Sequence, residues 1–303
     1  MKKGILLLLT FSIMSNVLAQ FTCRNNDCSE ISNRSGCSRH KPQNAADTML
    51  YMHRFIPEES TPIKTIPLNI NVWRNDDGTG SWWQNSQAFR DSMGIVIGYL
   101  NYIFENNVPF SDTIPDAVFI PDIKVRFMID TFYYYNNTTI AQQVEPSYFT
   151  DYLQQYYSER LKNFNIHLSL GDSGTIAGWS SGVDSLYQSF VCLHQYQRPS
   201  LWVLASLMAH ELGHNFGLNH PYNTEERNIT HYEFLWDLFG HAQQPWCNLS
   251  NPLLVCYHES GWDCNPYDTE TRCTNNIMGG TALSRHFTAL QCGRIHRALS
   301  TAN

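Results

Sequence analysis

The densest chemistry in the chain lies in one run, His210-Glu211-Leu212-Gly213-His214-Asn215-Phe216-Gly217-Leu218-Asn219-His220. Two histidines four residues apart project from one face of a helix, so both imidazoles can reach a single ion. Gly217 can take the left-handed conformation that ends a helix, and the turn brings His220 back as a third ligand. Three neutral imidazoles suit Zn2+ and leave a fourth tetrahedral position open, as a catalytic site requires. Glu211 stands beside the first ligand and is poorly placed to be a fourth. Its expected role is general base: it takes a proton from a zinc-activated water and later returns it to the leaving amine, while the ion polarises the scissile carbonyl. With this histidine and glutamate content, His-Glu-x-x-His arises by chance about 0.02 times, and the glycine and third histidine make the run far rarer.

The helix that must carry the motif is read over 201–216. Ahead of it, Ile66, Leu68, Ile70 and Val72 alternate with Pro67, Asn69, Asn71 and Trp73, a strand pattern. Phe89, Met93, Val96, Ile97, Leu100, Ile103 and Phe104 then recur at helical spacing, and Asn106, Asn107 and Pro109 end that helix. Further strands are read at Ile123, Val125, Phe127 and Ile129 and at Phe164, Ile166, Leu168 and Leu170, with shorter candidates at 175–179 and 190–193. Phe132, Tyr133, Tyr134 and Tyr135 read as sheet-edge packing. Strands interleaved with long helices predict an α/β fold with a twisted, mostly parallel sheet. Thr288 and Gln291 have capping-box spacing at the start of a closing helix.

The extended zinc motif resembles the metzincin clan of metallopeptidases, and the layout over roughly 62–300 is most similar to the pappalysin (cytophagalysin) group. The resemblance implies a methionine turn beneath the metal, matched by Met278 within Asn275-Asn276-Ile277-Met278-Gly279-Gly280. It implies a backing helix at 85–106 and an edge strand above the cleft at Ile176, Ala177, Gly178 and Trp179, where a substrate peptide would add as a further strand. Phe287-Thr288-Ala289-Leu290-Gln291 extends it to the closing helix. Two features depart from the group. Gly280 stands where a tyrosine usually follows the methionine turn. The region that binds Ca2+ in some relatives reads Trp236-Asp237-Leu238-Phe239-Gly240-His241-Ala242, in which Asp237 is read as a capping or solvated carboxylate, with calcium as the alternative.

Composition narrows the function. The net charge of -7 leaves no basic surplus for nucleic acid, and no stretch after the N-terminus is apolar for long enough to span a membrane. Lys2 and Lys3, the apolar run from Ile5 to Met14, and Val17-Leu18-Ala19 read as a signal peptide over 1–19, which predicts a secreted protein. All nine cysteines follow it, so disulfides are their expected role. Nine is odd. Several metzincins are kept latent by a pro-segment side chain on the metal, so one reading places a leader thiolate, Cys37, on the zinc. The other reading pairs the leader cysteines in disulfides.

The expected organisation is a signal peptide (1–19), a leader or pro-segment (20–60), an upper catalytic subdomain (61–220), and an irregular, disulfide-stapled lower subdomain (221–303) with the methionine turn and closing helix. The expected activity is that of a zinc-dependent endopeptidase acting on protein or peptide substrates. The alternative is a secreted binding or adhesion module on an inactive metzincin scaffold.

Overall fold

Alternating apolar residues build β1 (Lys64–Arg74) at the interior of the sheet. A computed structural model describes residues 53–80, 85–109, 117–171, 178–180, 190–194, 200–219, 237, 275–279 and 284–301. β1 pairs in parallel with β2 (Val125–Asn136) on one side and with β3 (Phe164–Ser169) on the other. Beyond β3 comes β5 (Phe190–His194), also parallel, and then β4 (Gly178–Ser180), the one antiparallel strand among those described. The order is β2-β1-β3-β5-β4. The mixed α/β class and mostly parallel sheet expected from the sequence are therefore present.

Ile66, Leu68, Ile70 and Val72 face α1 (Gln87–Glu105), whose stripe from Phe89 to Phe104 is buried against them. Ser86 caps α1 by accepting from the Phe89 N–H at 3.2 Å. Each fully buried Leu, Ile or Val on this face contributes roughly 1.5–3 kcal/mol. The same core takes in α4 (Leu201–Asn215), the Ile277–Gly279 turn and α5 (Ala289–Thr301), so one apolar body connects the sheet to every described part of the zinc motif.

The other sheet face is also covered. Trp73 and Tyr135 pack with Phe149 and Leu153 of α3 (Pro146–Tyr156), which follows the single-turn α2 (Thr138–Ala141). Asn69 and Asn71 are buried there and both donate to Asn165 Oδ1, at 3.3 and 3.0 Å. Tyr135 donates to Asn71 Oδ1 at 3.1 Å and accepts from Arg160 at 2.6 Å. Burial of these asparagines is tolerable because they satisfy one another.

His296 on α5 is buried with Nε2 2.6 Å from the Ile123 carbonyl. Burial pushes its pKa down to about 4, Lys64 acts in the same direction, and the carbonyl and Asp122 oppose them. A histidine depressed in the fold stays neutral while the unfolded chain takes up a proton. The stability it contributes is present above pH 6.5 and is lost as the pH falls toward about 4. His296→Gln is therefore expected to flatten the dependence of unfolding free energy on pH in that window by up to about 1.4 kcal/mol per pH unit. Denaturant titrations across the window measure this slope separately from any packing loss, and an unchanged slope would refute the assignment.

Candidate metal centre

The motif helix α4 starts at Ser200, whose Oγ accepts from the Val203 N–H at 3.2 Å. It ends where Gly217, at φ 94°, gives its N–H to the His214 carbonyl and Leu218 gives its own to Gly213, both at 2.9 Å. This pair of bonds is the helix stop that favours glycine. Residues 204–213 are all buried, His210 and Glu211 included.

Both described motif histidines are oriented through Nδ1. That of His210 lies 2.8 Å from the Ile277 carbonyl, and that of His214 lies 2.7 Å from the Leu218 carbonyl. A nitrogen facing a carbonyl must carry the proton, which puts the lone pair of each ring on Nε2, the atom that ligates. The rings stand 4.8 Å apart between centroids and nearly perpendicular. Burial lowers the pKa of His210, so the ring is neutral, as a ligand must be; the Ile277 carbonyl opposes this. Glu211 is 5% exposed, and burial alone pushes its carboxyl up to about 8. A divalent cation beside it would act in the other direction. The donor set fits zinc: two neutral imidazoles with a preset tautomer, on one helix face.

Met278 lies in the Ile277–Gly279 turn, fully buried. A Cβ built on Gly213 would sit 2.5 Å from Met278 Sδ, so the thioether rests against the α4 backbone between the two histidines. The turn thus supplies both the floor of the helix and the carbonyl that aims His210. Asn276 braces it, accepting from the Met278 N–H at 3.1 Å and donating to Gln291 Oε1 at 2.8 Å. Gln291 also closes the capping box expected from sequence, with its N–H on Thr288 Oγ1 at 3.2 Å and its Oε1 on the Thr288 N–H at 2.9 Å.

Of the edge-strand residues singled out, Gly178 and Trp179 lie in β4, and Trp179 is 38% exposed. A Cβ on Gly178 would lie 2.8 Å from Glu211 Oε1, so the strand runs directly against the expected base. Ser180 hydrogen-bonds Asn215 and ties β4 to the end of α4. Asp237 is buried rather than solvated, and its Oδ2 accepts from the Leu290 N–H at 2.7 Å, a capping role. His220, Ile176, Ala177, Cys37 and Gly280 lie outside the described residues, as does most of the expected stapled subdomain. Among the described residues no three ligating side chains cluster; two of the three motif histidines are among them. Sequence reasoning missed Asn276, Asn215 and Ser180. Only the spacing of Asn276 to Met278 within a turn could have pointed to one of them.

A histidine-bearing helix seated on a methionine turn, beside an α/β sheet with one antiparallel edge strand, has the layout of a metallopeptidase. A family model described as Reprolysin_5, metallo-peptidase family M12, matches residues 76–281. The chain belongs to metallo-peptidase family M12. Membership implies a catalytic zinc. Among solved structures, the chain is similar to one titled "Structure of a chaperone-substrate complex", at 18% identity over 55% of this chain and 26% of that one, with a TM-score of 0.37. It is also similar to metalloproteinase-II from Bacteroides fragilis, at 17% identity over 61% of this chain and 54% of that one, with a TM-score of 0.31. The chain thus spans about a quarter and about half of their lengths, and at these TM-scores neither likeness bears on its function. No curated protein matches it.

Proposed function

We propose that the chain is a secreted zinc endopeptidase in which His210, His214 and His220 hold the metal and Glu211 is the general base. The observation that carries this reading is the orientation of His210 and His214 through Nδ1 by the Ile277 and Leu218 carbonyls, with Glu211 buried beside them. Zinc when bound supplies Lewis acidity toward the scissile carbonyl and makes water a nucleophile at neutral pH. Glu211 takes the proton from the attacking water at a carboxylate oxygen and delivers it to the leaving amine. β4 is an edge of the described sheet, so an extended substrate can add beside Gly178 and Trp179 as a further strand.

The N-terminal Lys2, Lys3 and apolar run support export. Cys292 is a free, buried thiol whose pKa burial pushes well above the ordinary value. It accounts for the odd cysteine and leaves an even eight, so disulfides are the reading kept for Cys37. The finer placement beside pappalysin-like peptidases rests on the layout over roughly 62–300, with the first strand, the backing helix at 85–106, the 176–179 stretch and 287–291 with the closing helix.

Elemental analysis combined with mass spectrometry of peptide-library digests tests the proposal. One zinc per chain and cleavage products that vanish on chelation are expected. Zinc uptake with no cleavage of any peptide, once residues 20–60 are removed, would favour a binding module instead. No zinc uptake would sink the metal assignment.

A further inference from the structure

Arg294 is an arginine with almost no contact with water. It sits one turn into α5, 1% exposed, and its Nη1 donates to the Gly217 carbonyl at 3.1 Å. Burying a guanidinium costs several kcal/mol unless it is paired and hydrogen-bonded. Asp237 brings a carboxylate to the start of the same helix. Its Oδ2 holds the Leu290 N–H one turn ahead of Arg294, and the arginine's charge acts on its carboxyl. Asp237 is itself only 2% exposed. A chain segment far from α5 in sequence therefore sends one carboxylate inward to the start of this helix.

The target of the guanidinium is a sensitive point. Gly217 is the left-handed residue that stops α4, and the peptide whose carbonyl Arg294 grips leads directly into Leu218. The carbonyl of Leu218 aims the ring of His214, and two residues further on the chain reaches His220. A rotation of the 217–218 peptide would shift the orientation of His214. The stop itself is held by main-chain bonds from Phe216, Gly217 and Leu218 back to α4. The Arg294 bond comes from outside the helix and adds a side-chain donor on the Gly217 carbonyl.

We propose that Arg294 is a positioning residue of the metal centre: it fixes the Gly217–Leu218 turn and through it the orientation of His214. The inference rests on the reading of these histidines as zinc ligands. Loss of a partner that orients a ligand typically weakens metal binding by roughly 10- to 100-fold.

The test uses the full chain with Arg294→Met, which keeps the stem but not the donors, Arg294→Gln, whose amide is too short to reach Gly217, and Arg294→Lys, which restores a single charged donor. Zinc affinity is measured by chelator competition, and the visible spectrum of the cobalt-substituted protein is recorded at saturating metal. Circular dichroism and melting of the metal-free protein show which variants fold. Roughly 10- to 100-fold weaker zinc binding in Met and Gln, altered cobalt bands, and partial recovery in Lys are expected. If Met does not fold, Gln carries the comparison. Folded Met or Gln variants with wild-type zinc affinity and an unchanged cobalt spectrum would overturn the role of Arg294 while leaving the zinc site intact. A wild-type chain that takes up neither metal would overturn the underlying reading instead.

Discussion

Glu211→Gln is expected to lower kcat for peptide hydrolysis by roughly 10²- to 10⁴-fold, the usual worth of a positioned general base, with zinc content unchanged. The amide matches the carboxylate in shape and can still hydrogen-bond, so the loss isolates proton transfer. Because the carboxylate acts on the reacting water and is not a metal ligand, kcat and kcat/KM are expected to fall together. Glu211 is 5% exposed and Gly178 lies against its side chain, so glutamine enters the same buried position beside β4. Steady-state kinetics on a peptide substrate, beside elemental analysis of the same preparation, measure both quantities. Retention of kcat within about tenfold would remove Glu211 from the base role.

Several features were legible in the sequence because each rests on a short-range rule. β1 and α1 follow from uninterrupted periodicity, and the end of α4 follows from Gly217. The Thr288–Gln291 capping box needs only a spacing of three. What escaped depends on distant contacts. β2 runs on to Asn136 through the aromatic residues read as sheet-edge packing, but the shift in its register with β1 after Ile129 is marked by no local pattern. α3 buries only Pro146, Phe149 and Leu153, too sparse a stripe to stand out among its tyrosines and glutamines. Asn69 and Asn71 mark a polar face in sequence, yet they are buried, because Asn165 and Arg160 arrive from elsewhere in the chain to satisfy them. Arg294 is the sharpest case. An arginine on an amphipathic helix reads as solvent-facing, and nothing local says that a glycine carbonyl 77 residues away accepts its hydrogen bond.

The metal site divides in the same way. The identity of the ligands is written in one contiguous run, but their orientation is only partly so. His214 is aimed by Leu218 within the run itself, but His210 depends on a carbonyl from the methionine turn 67 residues on, so that distant segment must dock before this ring is aimed. Ile277 in turn pairs with His286 across a short parallel bridge formed by Asn276 and His286. Ligand preorganisation is therefore a property of the closed core rather than of the motif helix alone.

The same closeness makes Gly178 the second position where one small change is expected to have a large effect. A methyl group there would lie 2.8 Å from Glu211 Oε1, 3.0 Å from its Cγ and 3.1 Å from Leu207 Cδ1, all inside normal contact distance. Either the carboxylate or strand β4 must give way. The strand is held by its pairing with β5 and by the Ser180–Asn215 bond, whereas Glu211 can turn about its side-chain torsions. The carboxylate is therefore the part that moves, and a displacement of about 1 Å from productive geometry can cost on the order of 10²-fold in rate. Gly178→Ala is expected to reduce kcat by roughly that factor while zinc binding stays as in the wild type, since the nearest atoms to the new methyl group belong to Glu211 and Leu207. Gly178→Ala combined with Glu211→Gln separates this from a general loss of packing. If the alanine acts by displacing the base, the double variant is no slower than Glu211→Gln alone, because the two changes remove one function. Fully additive losses would mean that the methyl group disturbs the substrate strand instead, and a Gly178→Ala enzyme with wild-type kcat would show that β4 yields and the base does not.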